Sequence, residues 1–242
     1  MLLLNDYTDL TTTPKRLITP NVNDVLREIG PMPSEALFLG LCGDDLPLLT
    51  NMEWNSGKPL FIHAPASWGK TYMLKVVLKA ALTMGSQSWC KRDLAPIVLT
   101  DRMCDWMDMT GYVTVKQIDA RNISLALRMA SARADQNRYG QYSLILVDGW
   151  DSIPAEMQQW FHADRTQRIC KIITSRQARS SASRQGLDRL DPTARSVASR
   201  FDDGHSIADF TQIWQGFRPG QFVTMEGDHL LYFYVPSLPE GG

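Results

Sequence analysis

Residues Ala64 to Thr71 read APASWGKT, and the last three, Gly69, Lys70 and Thr71, bring together a flexible hinge, a cation and a hydroxyl. That combination suits a polyphosphate and its metal ion. In such a loop the backbone N–H groups and the N-terminus of a following helix turn partial positive charge toward phosphate oxygens. Lys70 would reach the β- and γ-phosphates, and the Thr71 hydroxyl would ligate Mg²⁺. The expected nucleotide cradle is Ala64, Pro65, Ala66, Ser67, Trp68, Gly69, Lys70 and Thr71. One residue departs from the pattern. Ala64 stands where glycine is usual, which bears on the loop's backbone freedom but leaves its cation chemistry intact.

A second acid completes the chemistry. Tyr142 to Val147, YSLILV, is a continuous apolar run that ends in Asp148. Such a run fits a strand buried on both faces of a parallel sheet. It delivers its carboxylate to the carboxyl end of the strand, where open α/β sheets bind ligands. Asp148 is therefore expected to hold Mg²⁺ through water, together with Thr71. A glutamate often follows this acid and polarises the attacking water. Here the next residue is Gly149, which cannot act as a base. Asp151 or Glu156 lies close in sequence but out of the expected position. The residues support nucleotide binding and leave hydrolysis open.

Further groups could complete the site. Thr174 and Ser175 end the apolar run Ile169–Ile173, and a hydroxyl there, taken as Ser175, senses a γ-phosphate or caps the next turn. In TARSVASRFDDG, Arg195 and Arg200 are candidates for an arginine finger acting across a subunit boundary. Arg200 is favoured because Phe201 could anchor it, and solvated arginines are the plain alternative. A basic run extends from Arg165 through Arg168, Lys171, Arg176, Arg179, Arg184, Arg189 and Arg195 to Arg200. It reads either as a DNA path or as a solvated loop. Trp68 lies inside the cradle, where it could stack on a base or a neighbouring subunit, or pack on the loop. The other tryptophans read as core or interface packing.

These residues need elements to hold them. Pro59–Ile62 is a short apolar strand before the cradle, and Tyr72–Leu82 carries apolar residues at helical spacing after it. Asn21–Ile29 reads as a short helix capped by Asn21 or Asn23 and stopped at Gly30-Pro31. Leu37–Leu41 and Leu46–Leu49 flank Gly43-Asp44-Asp45 as a hairpin, weakened by Pro47. Pro96–Thr100 and Ile169–Ile173 read as strands. Gln117–Ala134, Pro154–Phe161 and Pro192–Phe201 read as helices, and Asp101–Tyr112 resists assignment. Strands are expected at Ile207–Ile213, Gln221–Met225 and Leu230–Val235, the last two joined by a turn at Glu226-Gly227-Asp228. The order is hairpin, alternating strand and helix, then a closing hairpin: an α/β fold with a mainly parallel core sheet.

Composition bounds the rest. The chain has 242 residues, of which 44% are hydrophobic and 21% charged, an ordinary globular composition at a length that suits one large α/β domain or two small ones. A net charge of −1 gives no global pull toward DNA or anionic membrane, so any nucleic-acid surface must be local. Cys42, Cys90, Cys104 and Cys170 lack ligand spacing and read as buried, reduced thiols. His63, His162, His205 and His229 also lack it, so no metal besides Mg²⁺ is expected. Met1-Leu2-Leu3-Leu4 is too short for a signal-peptide core, and no run approaches a membrane span. A cytoplasmic protein with no membrane contact is expected.

With these motifs in view, the chain resembles P-loop ATPases of the additional-strand class. LFLGLCGDDLPLL, PLFIHAPASWGKT, YSLILVD, KIITSRQ and GQFVTMEGDHLLYFYVP are together similar to the FtsK/HerA-like group. PLFIHAPASWGKTYML, LILVDGWDSI, IITSRQ and ARSVASRFDDG also resemble the successive motifs of a DnaA-like AAA+ core. Too few residues follow the start of the late hairpin for the helical lid of the latter, and the two hairpins favour the former. The resemblance implies a three-layer P-loop NTPase fold that binds ATP and Mg²⁺. It also implies assembly into a homo-oligomer or with partner ATPase subunits, acting on DNA or with DNA-handling partners. The alternatives are a scaffold that binds ATP with little turnover and a DnaA-like loader. The implied division is an arm and short helix over 1–33, one ATPase domain over 34–238 and a tail over 239–242.

Overall fold

The computed structural model describes residues 19–33, 35–52, 59–64, 66–87, 96–136, 142–163, 168–175, 196–198, 219–226 and 229–239. Its parallel core begins with β3 (Leu60–His63), which pairs with β7 (Ile169–Ser175). Next come β6 (Ser143–Asp148), β4 (Ile97–Thr100) and β5 (Thr114–Gln117), each parallel to its neighbour. On the other side of β3 lies β8 (Ser196–Ala198), also parallel. The segment Pro192–Phe201 had the pattern of a helix; its described part is this strand, because its backbone completes the ladder beside β3.

Side chains alternate along the buried strands and split the core into two layers. Leu60, Ile62, Val98, Leu144, Leu146 and Ile172 face one side. Phe61, Ile97, Leu99, Ile145, Val147 and Ile173 face the other. On the first side packs α2 (Lys70–Gln87), through Met73, Val76, Val77 and Ala80. On the second pack α3 (Ala120–Gln136), through Ile123, Ala126 and Ala130, and α4 (Ala155–Ala163), through Phe161. The result is the expected three-layer α/β arrangement of a P-loop NTPase. Runs such as SLILV are apolar throughout because both faces are covered.

The α3 helix starts later than its apolar pattern suggests. Asp119 caps it, with Oδ1 accepting from Asn122 N at 2.7 Å and its carbonyl from Ile123 N at 2.9 Å. The residues before that cap form β5, an edge strand whose side chains are partly exposed and so carry no apolar run.

Both hairpins join the same sheet. β1 (Ala36–Cys42) pairs antiparallel with β2 (Pro47–Asn51), and β9 (Gln221–Glu226) with β10 (His229–Tyr234). The order is β2-β1-β10-β9-β8-β3-β7-β6-β4-β5. Pro47 is tolerated because it opens an edge strand, where no ladder donor is required. Helix α1 (Val22–Ile29) is capped by Asn21, whose Oδ1 accepts from Asn23 N at 2.8 Å, and it ends at Gly30 with φ +72°. It packs on α2, and Val22 N donates to Ser237 O at 2.8 Å.

Of the thiols, Cys170 is buried, and burial pushes it up to about 12. Cys104, expected inside, is exposed. The expected strand Ile207–Ile213, together with Arg195 and Arg200, lies outside the described residues.

Candidate functional site

The cradle sits where β3 hands over to α2. Ala64 continues the β3–β7 ladder, with its N–H donating to Ser175 O at 3.2 Å. It is buried and has no positive φ. A glycine's freedom is therefore not needed at this position, and alanine is accommodated without strain. The turn is made further on, by Ser67 at φ +63° and Gly69 at φ +87°. Pro65 lies outside the described residues. α2 then begins at Lys70, so its free N–H groups open into the loop.

Lys70 is buried and curls back over the loop, with Nζ donating to Ala64 O at 2.5 Å. Thr71 Oγ1 donates to Asp148 Oδ2 at 2.9 Å. The two oxygens expected to serve one cation therefore touch each other. Both are hard donors, and the geometry fits Mg²⁺, which takes one or two protein oxygens and completes its shell with water and phosphate. Among the described residues no cluster of three or more His, Cys, Asp or Glu side chains forms a separate metal site.

Asp148 is held firmly. It is buried at the end of β6, and Trp106 Nε1 donates to Oδ2 at 3.0 Å. Thr174 Oγ1 lies 2.9 Å from Oδ1 and 3.3 Å from Val147 O, and it accepts from Gly149 N at 3.2 Å. The hydroxyl at the end of β7 that reaches the Asp148 carboxylate is thus Thr174. Ser175 turns to the neighbouring side and donates to Asp151 Oδ1 at 3.0 Å.

These groups border a cavity of about 410 Å³. Ala66, Ser67, Gly69, Lys70, Thr71 and Tyr72 form one wall. Asp101, Arg102, Asp105, Asp148, Gly149 and Thr174 form the other. The volume falls in the range of small-molecule sites. Neither Asp151 nor Glu156 borders it, and Glu156 is exposed in the first turn of α4.

The second wall contains residues that pattern reading missed. Asp101 and Arg102 follow β4, and Asp105 and Trp106 lie in a 3-10 helix at Met103–Met109. Arg102 lies 3.3 Å from Asp105 and 3.7 Å from Asp101, and its Nη2 is 3.4 Å from Thr71 Oγ1. A signal was present: Ile97–Asp101, IVLTD, repeats the apolar-run-then-Asp pattern that singled out LILVD.

Trp68 is partly buried against the core, and its carbonyl accepts from Gly220 N at 3.2 Å. Its side chain thus packs against the core. In the basic run, Lys171 points inward: it is fully buried and donates to Phe161 O at 2.9 Å. It cannot contact a phosphate backbone from there. Arg168 is half-buried in the turn just before β7, and the remaining arginines of the run lie outside the described residues. Among the described residues no helix is long and apolar enough to cross a membrane.

No protein family and no curated protein matches the chain in sequence. Solved structures match its fold. EssC (ATPases 2 and 3) from Geobacillus thermodenitrificans aligns over 89% of this chain and 44% of its own, at 12% identity and a TM-score of 0.60. The cytoplasmic domain of EssC aligns over 91% of this chain and 46% of its own, at 16% identity and a TM-score of 0.58. The pCW3 conjugation coupling protein TcpA, as a monomer with ATPγS, aligns over 92% of this chain and 70% of its own, at 9% identity and a TM-score of 0.59. At these identities the likeness is one of fold, and the chain spans less than half of either EssC structure.

Proposed function

We propose that this chain binds ATP with Mg²⁺ in the cavity between the α2 N-terminus and the end of β6, and hydrolyses it as the ATPase core of a motor-like or assembly protein. The observation that carries the reading is the convergence of Lys70, Thr71 and Asp148. A cation, a hydroxyl and a buried carboxylate, drawn from the first turn of α2 and the end of β6, meet at the mouth of a phosphate-binding loop. Lys70 would exchange the Ala64 carbonyl for phosphate oxygens. Thr71 and Asp148 would hold Mg²⁺, which when bound neutralises charge on the β- and γ-oxygens. The α2 N–H groups and the loop backbone would orient the triphosphate.

The fold shared with TcpA, solved with ATPγS, supports the choice of nucleotide. The hairpins added to the core sheet support placement in the FtsK/HerA-like group, with residues 34–238 as the ATPase domain. In that placement the chain works as a homo-oligomer or with partner ATPase subunits. Arg200 would reach a neighbour's γ-phosphate, and the arginines of the run from Arg165 to Arg200 would meet DNA.

The test uses a fluorescent ATP analogue and phosphate release, with Mg²⁺, for the native chain and Lys70→Ala. The native chain is expected to bind and turn over ATP, and Lys70→Ala to lose binding by more than about tenfold, the loss of one charge-assisted contact. Undiminished binding by Lys70→Ala would move the site elsewhere. A nucleotide-gated scaffold is the outcome if binding is intact and phosphate release stays at background.

A further inference from the structure

We propose that Asp101, at the end of β4, is the carboxylate that takes the proton from the water attacking ATP. The inference rests on the reading that ATP is hydrolysed in this cavity, and it fills the gap left by Gly149.

The backbone shows why no acid can follow Asp148. Gly149 has φ +118°, a conformation that side chains rarely adopt. A Cβ placed on it would lie 2.9 Å from both Cγ and Oδ1 of Asp101, and 3.1 Å from Oδ2. The Asp101 carboxylate thus occupies the space into which a side chain at position 149 would project. Strand register explains the coincidence. β4 and β6 run parallel with Thr100 opposite Asp148, so the next residues, Asp101 and Gly149, lie side by side. Asp101 N donates to Asp148 O at 3.4 Å, which ties the two strand ends together. One strand supplies the acid in place of its neighbour.

Asp101 also has the surroundings the role requires. It borders the same cavity as Lys70, Thr71 and Asp148, and its side chain is 21% exposed, so solvent reaches it without diluting its field. Ser152 Oγ donates to Oδ2 at 2.5 Å and fixes the carboxylate from behind. The other acids are less suited. Asp151 accepts from Ser175 outside the cavity, and Glu156 points to solvent. Arg102 lies beside both remaining acids, closer to Asp105 at 3.3 Å than to Asp101 at 3.7 Å, and it is Asp101 that fills the space beside Gly149. In the step, the water oxygen bonds to the γ-phosphorus and its proton passes to Asp101. The bond from the γ-phosphorus to the β,γ-bridging oxygen breaks, and ADP leaves with the electron pair. Asp101 then returns the proton to solvent.

Binding of the fluorescent ATP analogue and the kcat and KM of phosphate release are measured for the full chain with Mg²⁺. Asp101→Asn is expected to keep binding within about threefold while kcat falls roughly 100-fold or more, the usual weight of a positioned base. Asp101→Glu is expected to restore part of the rate. Ser152→Ala removes a donor that orients the carboxylate, so it is expected to lower kcat about tenfold with KM unchanged, and Ser152→Thr to restore it. Should Asp101→Asn fail to fold, the Ser152→Ala and Ser152→Thr rates decide. A kcat for Asp101→Asn within about threefold of native, or a kcat unchanged in Ser152→Ala, would overturn the assignment. Native protein that binds ATP without turnover would overturn it and leave the binding site standing. Native protein that does not bind would remove both.

Discussion

Trp106 donates its indole N–H to Asp148 Oδ2 at 3.0 Å, the same oxygen that accepts from Thr71 at 2.9 Å. The indole is fully buried, and Lys75 sits over its ring at 5.9 Å. Trp106 therefore belongs to the candidate site as well as to the core, because it fixes the direction in which the Asp148 carboxylate points. Trp106→Phe keeps most of the ring volume and removes the donor. The Mg²⁺ concentration at half-maximal turnover is expected to rise roughly tenfold or more, as for other groups that orient a metal ligand. A Mg²⁺ titration of phosphate release checks this. An unchanged midpoint would reduce Trp106 to packing.

Thr174 is the matching contact on the opposite oxygen. Its hydroxyl accepts from Gly149 N and lies within hydrogen-bond reach of Asp148 Oδ1. Thr174→Val keeps the shape and leaves a buried N–H unsatisfied, at a cost of about 1–3 kcal/mol. Thr174→Ser keeps the hydroxyl and should stay close to native. Urea melts of the two variants separate the hydroxyl from the methyl group.

The N-terminal hairpin depends on one close approach. Gly40 on β1 faces β10, and a Cβ there would lie 2.6 Å from Tyr234 O and 2.7 Å from the Phe233 ring. The first contact is with backbone, so no side-chain rotation relieves it. Gly40→Ala is expected to cost about 1–3 kcal/mol by overpacking and to loosen the β1–β10 pairing. Denaturant melts would show the first effect, and faster amide exchange along β1 the second.

Tyr234 seals the same seam through a hydrogen bond from its hydroxyl to Asp45 Oδ1. Burial, then that bond and the Asp45 charge, push its phenol well above the ordinary range. The folded pKa is raised, so the stability it confers is complete below the unfolded value near 10 and falls as pH climbs above it. Tyr234→Phe is expected to flatten the decline in stability above about pH 10 by up to about 1.4 kcal/mol per pH unit, one proton's worth. Denaturant melts at successive alkaline pH values measure that slope.

The fold was legible wherever burial on both faces left an apolar run, as in SLILVD, or a turn broke two runs, as at Gly43-Asp44-Asp45. Lys70, Thr71 and Asp148 were legible because each ends or begins such an element. The second wall was harder to read. Met103–Met109 is a 3-10 helix, too short to carry an apolar period, so Trp106 looked like packing. β5 escaped notice because it is an exposed edge, and β8 because its segment is polar and its strand state comes from pairing with β3. The replacement of glycine by Ala64 mattered less than it looked, since the positive φ falls on Ser67 and Gly69.

Gly149 gives the sharpest contrast between sequence logic and geometry. Motif logic holds that Gly149→Glu restores the usual acid after Asp148 and raises turnover. The structure requires the opposite. The substitution meets φ +118° and drives a Cβ to 2.9 Å from the Asp101 carboxylate, one acid against another. Strained backbone of this kind costs about 1–3 kcal/mol. A second carboxylate carried on that Cβ would also repel Asp101 and displace it from the position proposed for a base. Gly149→Glu is therefore expected to lower kcat by about tenfold or more, the loss from misplacing a base. Gly149→Ala carries the same strain without the charge, so it is expected to match the loss of stability and to keep more of the rate. Measuring kcat and Tm for both separates strain from repulsion. A Gly149→Glu variant faster than native would mean that the space beside Asp148 is open and that Asp101 does not fill it.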